Sequence, residues 1–363
     1  MKKIILIIVA VAVIVGGAIT YRNSKDAGKT IKIGVIGPFT GALAEYGEAH
    51  KNGITLAAEE SKGSGKNIEF VFEDSSYDTA KAISAFRKLT QIDKVLLVVD
   101  WGAATSYGIA PLIKDAKTPF IAISVDPDTV KPSDYVFRHN YSPDDAAQKL
   151  WEYFREKGYK NIGLVKLNIL FCTKIADSLD KLKKLGETVT VVDTYQSFSD
   201  KDFRTSIAKL KANDGKYDTV GVFLAGGQIA QFYKQAYDQK LSLPTFGTDF
   251  FESYTEIKSA GGRMDGAVFV GLSSSEQFMK RYKARFGTDN QMSYAGLSYD
   301  LGKILLSQVD YSSTQTIVDS LRAIKDYKGE VGTYTYDDAN GDRYLKPVLH
   351  IKEIQGDTIK NVN

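Results

Sequence analysis

Cysteine is almost missing from this chain of 363 residues, where Cys172 stands alone. One thiol forms no internal disulfide and no cysteine-rich metal site. Histidine is nearly as scarce, and His50, His139 and His350 are scattered with no ligand spacing between them. No zinc site is expected, and each histidine reads as a structural or surface residue. Charge of either sign is in little excess, with 47 Lys and Arg against 44 Asp and Glu. A balance so near neutral gives nucleic acid no electrostatic footing. The G-x-G-x-x-G spacing is absent after the first strand, where "GVIGPF" stands, and no Ser/His/Asp or paired-acid constellation points to catalysis. No enzyme activity, metal or cofactor is expected.

Long apolar runs are missing as well, except at the start. "MKKIILIIVAVAVIVGGAITYRNSKDAGKT" carries two lysines, an apolar stretch from Ile4 to about Ala18, then a polar linker. That is the form of an export signal, with Gly16-Gly17-Ala18 as the small residues before a cleavage point. The uncharged stretch continues to Tyr21, about 18 residues, close to the length that spans a bilayer. Residues 1–22 therefore read as a signal peptide or an N-terminal membrane anchor, and 23–30 as a linker. Either way the remainder is expected outside the cytoplasmic membrane, in the periplasm or on the membrane's outer face.

From residue 31 the pattern alternates. "IKIGVI", "IEFVFED", "KVLLVV" and "PFIAIS" are strands, separated by amphipathic helices such as "DTAKAISAFRKLTQ". The rhythm restarts with the helix "DDAAQKLWEYFREKG" and runs through the strands "NIGLVK", "TVTVVDT", "YDTVGVFL", "PTFGT" and "GAVFVG". Continuous apolar strands between helices mean parallel sheets covered on both faces. Two such runs in a chain of this length make two α/β lobes, each a doubly wound parallel sheet. Three more helices follow, near 276–287, 293–309 and 315–325, and then "GTYTYDDANGDRYLKPVLHIKEI". Its Asp337-Asp338-Ala339-Asn340-Gly341-Asp342 run lacks the full spacing of a calcium loop and reads as a hairpin turn.

Open parallel sheets bind ligands beyond the carboxyl ends of their strands. In the first lobe that edge holds Gly37 to Thr40, Tyr46-Gly47, Gly102 to Thr105 and Ser124 to Asp126. In the second it holds Asn168 to Cys172, Ala225 to Gly227 and Thr248 to Phe250. Two edges facing each other would form a cleft.

Taken together, "IKIGVIGPFTGALAEYG", "APLIKDAKTPFIAIS", "YAGLSYDLGKIL" and "YDDANGD" resemble the type 1 periplasmic solute-binding proteins, in the branched-chain amino acid branch that serves ABC importers. The likeness covers roughly residues 31 to 352. It implies two lobes joined by a three-strand hinge, closing on a small solute. The crossovers are expected near Asn140-Tyr141, Leu272-Ser273 and Gly329-Gly332. Lobe I then comprises 31–141 plus 273–330, and lobe II 142–272 plus 331–363. A monomer is implied, with a small-molecule ligand and the permease subunits of an ABC transporter as partners.

The same resemblance implies a ligand site at Tyr46, Trp101, Gly102, Ala103, Thr105, Ser124, Val125, Asp126, Phe171, Ala225 and Asp249. Serines that usually hold a ligand carboxylate read Gly102 and Ala103 here, and a usual tyrosine and glycine read Phe171 and Cys172. Asp126 beside a ligand carboxylate would cost roughly 4 kcal/mol at an effective dielectric near 20. Two acids, Asp126 and Asp249, suit an amine, an amidine or several hydroxyls. Plainer readings stay open: core packing for Tyr46, Trp101 and Phe171, a turn or cap for Asp126, and a helix cap for Asp249. A membrane-tethered sensor that passes closure to a partner protein is the alternative function.

Overall fold

The computed structural model describes residues 30–63, 66–212, 215–338, 341 and 343–362. The expected signal or anchor and most of the expected hairpin turn lie outside them. No helix among the described residues is long and apolar enough to cross a membrane.

The first run of elements is β1 (Ile31–Gly37), α1 (Ala44–Glu60), β2 (Ile68–Asp74), α2 (Thr79–Gln91), β3 (Leu97–Trp101), α3 (Ala103–Ala116), β4 (Phe120–Ile123) and β5 (Val136–Arg138). Every residue of β3 and β4 is buried, as a strand covered on both faces must be. The second run is α4 (Pro143–Lys157), β6 (Asn161–Leu167), α5 (Leu170–Leu182), β7 (Thr188–Tyr195), α6 (Arg204–Ala212) and β8 (Thr219–Phe223). It continues with α7 (Gln228–Asp238), β9 (Thr245–Gly247), α8 (Tyr254–Ala260) and β10 (Val268–Gly271). Ser142 and Asp145 form a reciprocal capping box at the start of α4, with Pro143 in the first turn. That local signal fixes where the second run begins.

Three helices return to the first lobe: α9 (Glu276–Phe286), α10 (Met292–Ser307) and α11 (Thr314–Arg322). Helix α10 lies along α1, and the two backbones approach closely at Gly53, where an added Cβ would stand 2.2 Å from the Ala295 carbonyl oxygen. The chain ends in β11 (Tyr327–Lys328), β12 (Thr333–Tyr334), β13 (Tyr336–Asp337), β14 (Tyr344–Leu345), β15 (His350–Gln355) and β16 (Thr358–Val362).

Two seven-stranded sheets result, ordered β13-β14-β5-β4-β3-β1-β2 and β16-β15-β10-β9-β8-β6-β7. Their inner orders are the same, so each has its switch point at the carboxyl end of its first strand, between β1 and β3 or between β6 and β8. The chain passes between sheets after β5, after β10 and between β14 and β15. The third passage is later than the expected 329–332: β13 and β14 pair with the first sheet, and β11 and β12 form a small two-stranded sheet of their own. Side-chain chemistry explains the shift. The buried Asp300 carboxylate on α10 accepts the N–H groups of Glu330 (2.7 Å) and Val331 (2.9 Å) and the Tyr334 hydroxyl (2.8 Å). The Arg138 N–H then donates to the Arg343 carbonyl at 2.9 Å, docking β14 on β5.

Candidate functional site in the cleft between the lobes

The two switch points face each other and enclose a cavity of about 10 Å³, close to the space one water needs. Tyr77, Trp101, Gly102, Ala103, Ile123, Ser124, Val125 and Tyr294 line it from the first lobe, Asn140 from the first passage, and Phe171 and Phe250 from the second lobe. Of the expected site residues, Trp101, Gly102, Ala103, Ser124, Val125 and Phe171 are therefore in its wall. Tyr46, Thr105, Asp126, Ala225 and Asp249 are not.

Trp101 ends β3 and Gly102 caps α3 at φ 143°, a conformation only glycine adopts without strain. Thr105 turns away from the cavity. Its hydroxyl donates to Asp100 Oδ2 at 2.8 Å, and Ser106 donates to the same oxygen at 2.6 Å. Burial pushes Asp100 up to about 7. The Tyr77 hydroxyl oxygen accepts the Ala104 N–H, so one of the free donors at the start of α3 is already taken.

Asp126 departs from the role of a pocket acid. Its carboxylate accepts the Asp128 N–H at 3.1 Å and pairs with Lys174 Nζ on α5 at 2.9 Å. Lys174 also reaches Asp128 at 2.7 Å, so the cluster bridges the two lobes. A turn cap with its charge met by lysine does not repel a ligand anion as an unpaired acid would.

Tyr46 lies behind the wall. Its ring stacks on Trp101 at 5.7 Å and meets Phe250 and Tyr294 edge-on at 5.1 and 5.8 Å. Phe171 and Phe250 pack at 4.6 Å, so rings from both lobes form one cluster. Asp249 also sits outside the wall. Tyr141 donates to its Oδ2 at 2.8 Å, Tyr294 adds a second hydroxyl, and burial pushes Asp249 up to about 7. The cap of the short turn at Asp249–Glu252 is Thr248 instead. Ala225 is fully buried. Beside it Gly226 comes close to Ala42 of the first lobe, at the edge of an outer recess of about 400 Å³. Burial raises the Cys172 thiol, which removes it as a nucleophile at neutral pH.

The buried polar atoms that find no hydrogen-bond partner among the described residues include Trp101 Nε1, Asp249 Oδ1 and Asp126 Oδ2, close to the cavity. A larger groove, about 690 Å³, lies near the third passage between α4 and the 346–349 segment. Its wall mixes apolar and charged side chains, with Asp145 paired to Lys346, and it touches neither switch point. Topology therefore favours the smaller cavity as the site.

Sequence reading missed Tyr77, Ile123, Asn140, Phe250 and Tyr294. Tyr294 begins the "YAGLSYDLGKIL" segment, but nothing in that helix pattern says which of its buried residues reaches the cleft. Phe250 adjoins Asp249, and only the fold shows which of the two faces inward.

The model of the Periplasmic binding protein family matches residues 30–344. The Leu/Ile/Val-binding protein homolog 7 of Brucella abortus is 22% identical over 344 residues, covering 84% of this chain and 82% of its own. The Leu/Ile/Val-binding protein BraC3 of Rhizobium johnstonii is 26% identical over 263 residues, 68% of each chain. Among solved structures, the branched-chain amino acid transporter substrate binding protein LivJ of Streptococcus pneumoniae, in complex with isoleucine, superposes with a TM-score of 0.81 at 24% identity, over 92% of this chain and 99% of its own. A solute binding protein of R. palustris in complex with benzoate also reaches 0.81, at 20% identity over 92% and 96%. The chain belongs to the periplasmic binding protein family.

Proposed function

We propose that this protein captures a small polar solute, an amino acid or a related amine or amide, between its lobes and delivers it to an ABC importer outside the cytoplasm. The observation that carries this reading is the pairing of two switch-point edges across one ring-lined cavity with unpartnered polar atoms beside it. Relatives named for leucine, isoleucine and valine, and a fold neighbour holding benzoate, support small organic solutes as the class. The buried thiol and the hydroxyl-bound carboxylates offer no activated nucleophile, in keeping with binding rather than turnover. Closure by rotation about the three passages would convert solute affinity into a shape the transporter recognises.

Calorimetry and thermal shift against a solute panel test the reading, with small-angle scattering to follow compaction. A true ligand raises the melting temperature and compacts the protein. Chemical conversion of that ligand would sink the idea. Asp249→Ala, which removes the acceptor that holds the Tyr141 hydroxyl behind the cavity wall, should weaken binding about tenfold, on the order of 1–1.5 kcal/mol for one buried hydrogen bond. Unchanged affinity would leave Asp249 a purely structural acid.

A further inference from the structure

We propose, on the reading of the cleft as the solute site, that its ligand is an uncharged planar ring compound with a hydrogen-bond acceptor on its edge, selected by the indole N–H of Trp101. The wall supplies the ring preference. Trp101, Tyr77 and Tyr294 come from the first lobe and Phe171 and Phe250 from the second, and a wall of aromatic faces favours a stacked or edge-on aromatic guest.

Charge is the second argument. Among the described residues no Lys, Arg, Asp or Glu lines the cavity. The nearby charges lie outside the wall: Asp126 with Lys174, Asp100 with two hydroxyls, Asp249 with the Tyr141 hydroxyl, and Arg138 on the Ser124 and Val125 carbonyls at 3.0 Å each. A carboxylate or ammonium entering here would lose its water and meet no counter-charge in the wall. Gly102 and Ala103 offer no hydroxyl, and Tyr77 already takes the Ala104 N–H.

The third argument is the indole itself. Trp101 is 4% exposed, and its N–H finds no acceptor among the described residues. A buried donor left unmade is costly and uncommon. The chain's other tryptophan shows the contrast: Trp151, packed in the second lobe, donates to the Leu179 carbonyl at 2.9 Å. A lactam, carboxamide or azine edge would supply what Trp101 lacks. The present cavity of about 10 Å³ admits no ring. Entry therefore requires the lobes to part by about one ring thickness, ~3.5 Å.

The test uses the two tryptophans as reporters. Nicotinamide, uracil and benzamide are titrated into the protein alongside isoleucine, benzoate, benzylamine and toluene, with calorimetry and tryptophan emission as readouts. Neutral acceptor-bearing rings should bind and quench Trp101, and benzamide should bind better than toluene. Trp101→Phe keeps a ring but removes the donor. It should lose at least tenfold in affinity for benzamide and erase its preference over toluene. Trp151→Phe should leave the quenching in place, and circular dichroism shows whether each variant is folded. Binding of isoleucine, benzoate or benzylamine with no response to the neutral rings overturns the ligand class and leaves solute capture standing. Full benzamide affinity in folded Trp101→Phe overturns the donor role. Absence of both binding and compaction across the panel overturns the cleft reading and this inference with it.

Discussion

Asp249 is the residue whose environment departs furthest from its sequence context. Nothing local in "FGTDFFES" distinguishes a solvated acid from one enclosed by Tyr141 and Tyr294. Burial raises it to about 7, so the folded protein takes up this proton below about pH 7 while the unfolded chain does so only near 4. Its contribution to stability is therefore least favourable above pH 7 and improves as pH falls toward 4. Asp249→Asn removes the titration. The variant's melting temperature, relative to the parent, should be higher at pH 8 than at pH 5. A difference that stays flat with pH would mean the carboxylate is ionised when buried. Taking the difference cancels His50 and His139, whose burial lowers them to about 3 and 4 and acts in the opposite direction.

At the scale of elements, the start of α3 shows how a helix is placed to serve a cleft. Its run of Gly102, Ala103 and Ala104 is open to reading as a small-residue loop past a strand, and the structure puts Gly102 and Ala103 in the cavity wall. The anchoring was hidden. Thr105 belongs to Asp100, a side chain buried behind the strand end, and not to the ligand. Gly102→Ala would bring a Cβ to 2.5 Å from Thr105 Oγ1 and 2.9 Å from the Tyr77 ring, at a φ of 143°. We expect a loss of about 1–3 kcal/mol in denaturant unfolding. A neutral result would show that the α3 start can shift without harm. Strand β16 escaped sequence reading because its polar residues mask the strand alternation, much of it facing solvent.

For the whole molecule, closure is held by contacts that no local pattern announces. Lys174 joins Asp126 and Asp128 across the lobes, Tyr254 N–H donates to Asn290 Oδ1 at 2.8 Å, and Ser293 N–H reaches Glu252 at 3.2 Å. Lys174→Met would leave Asp126 buried with a single N–H donor. Because Lys174 is 27% exposed, the cost is about 1–2 kcal/mol, below that of a fully buried pair. Ligand affinity should fall about five- to thirtyfold. The loss should shrink at high salt, which calorimetry at two ionic strengths would read. Equal affinity at both would place the pair outside the closing motion.

Hydrophobic rhythm alone determined that this chain builds two similar α/β lobes. A strand buried on both faces must be apolar throughout, and its covering helix must carry a stripe. The family resemblance added the first passage near Asn140-Tyr141, where the structure shows the Ser142–Asp145 capping box starting α4. What only the tertiary structure decided is where the last passage runs and which side chains meet in the cleft. Both depend on partners far apart along the chain: Asp300 catches a strand thirty residues on, Lys174 neutralises Asp126, and Tyr294 reaches Asp249. Such pairings are chosen by the packing of whole elements, and a one-dimensional pattern carries no record of them.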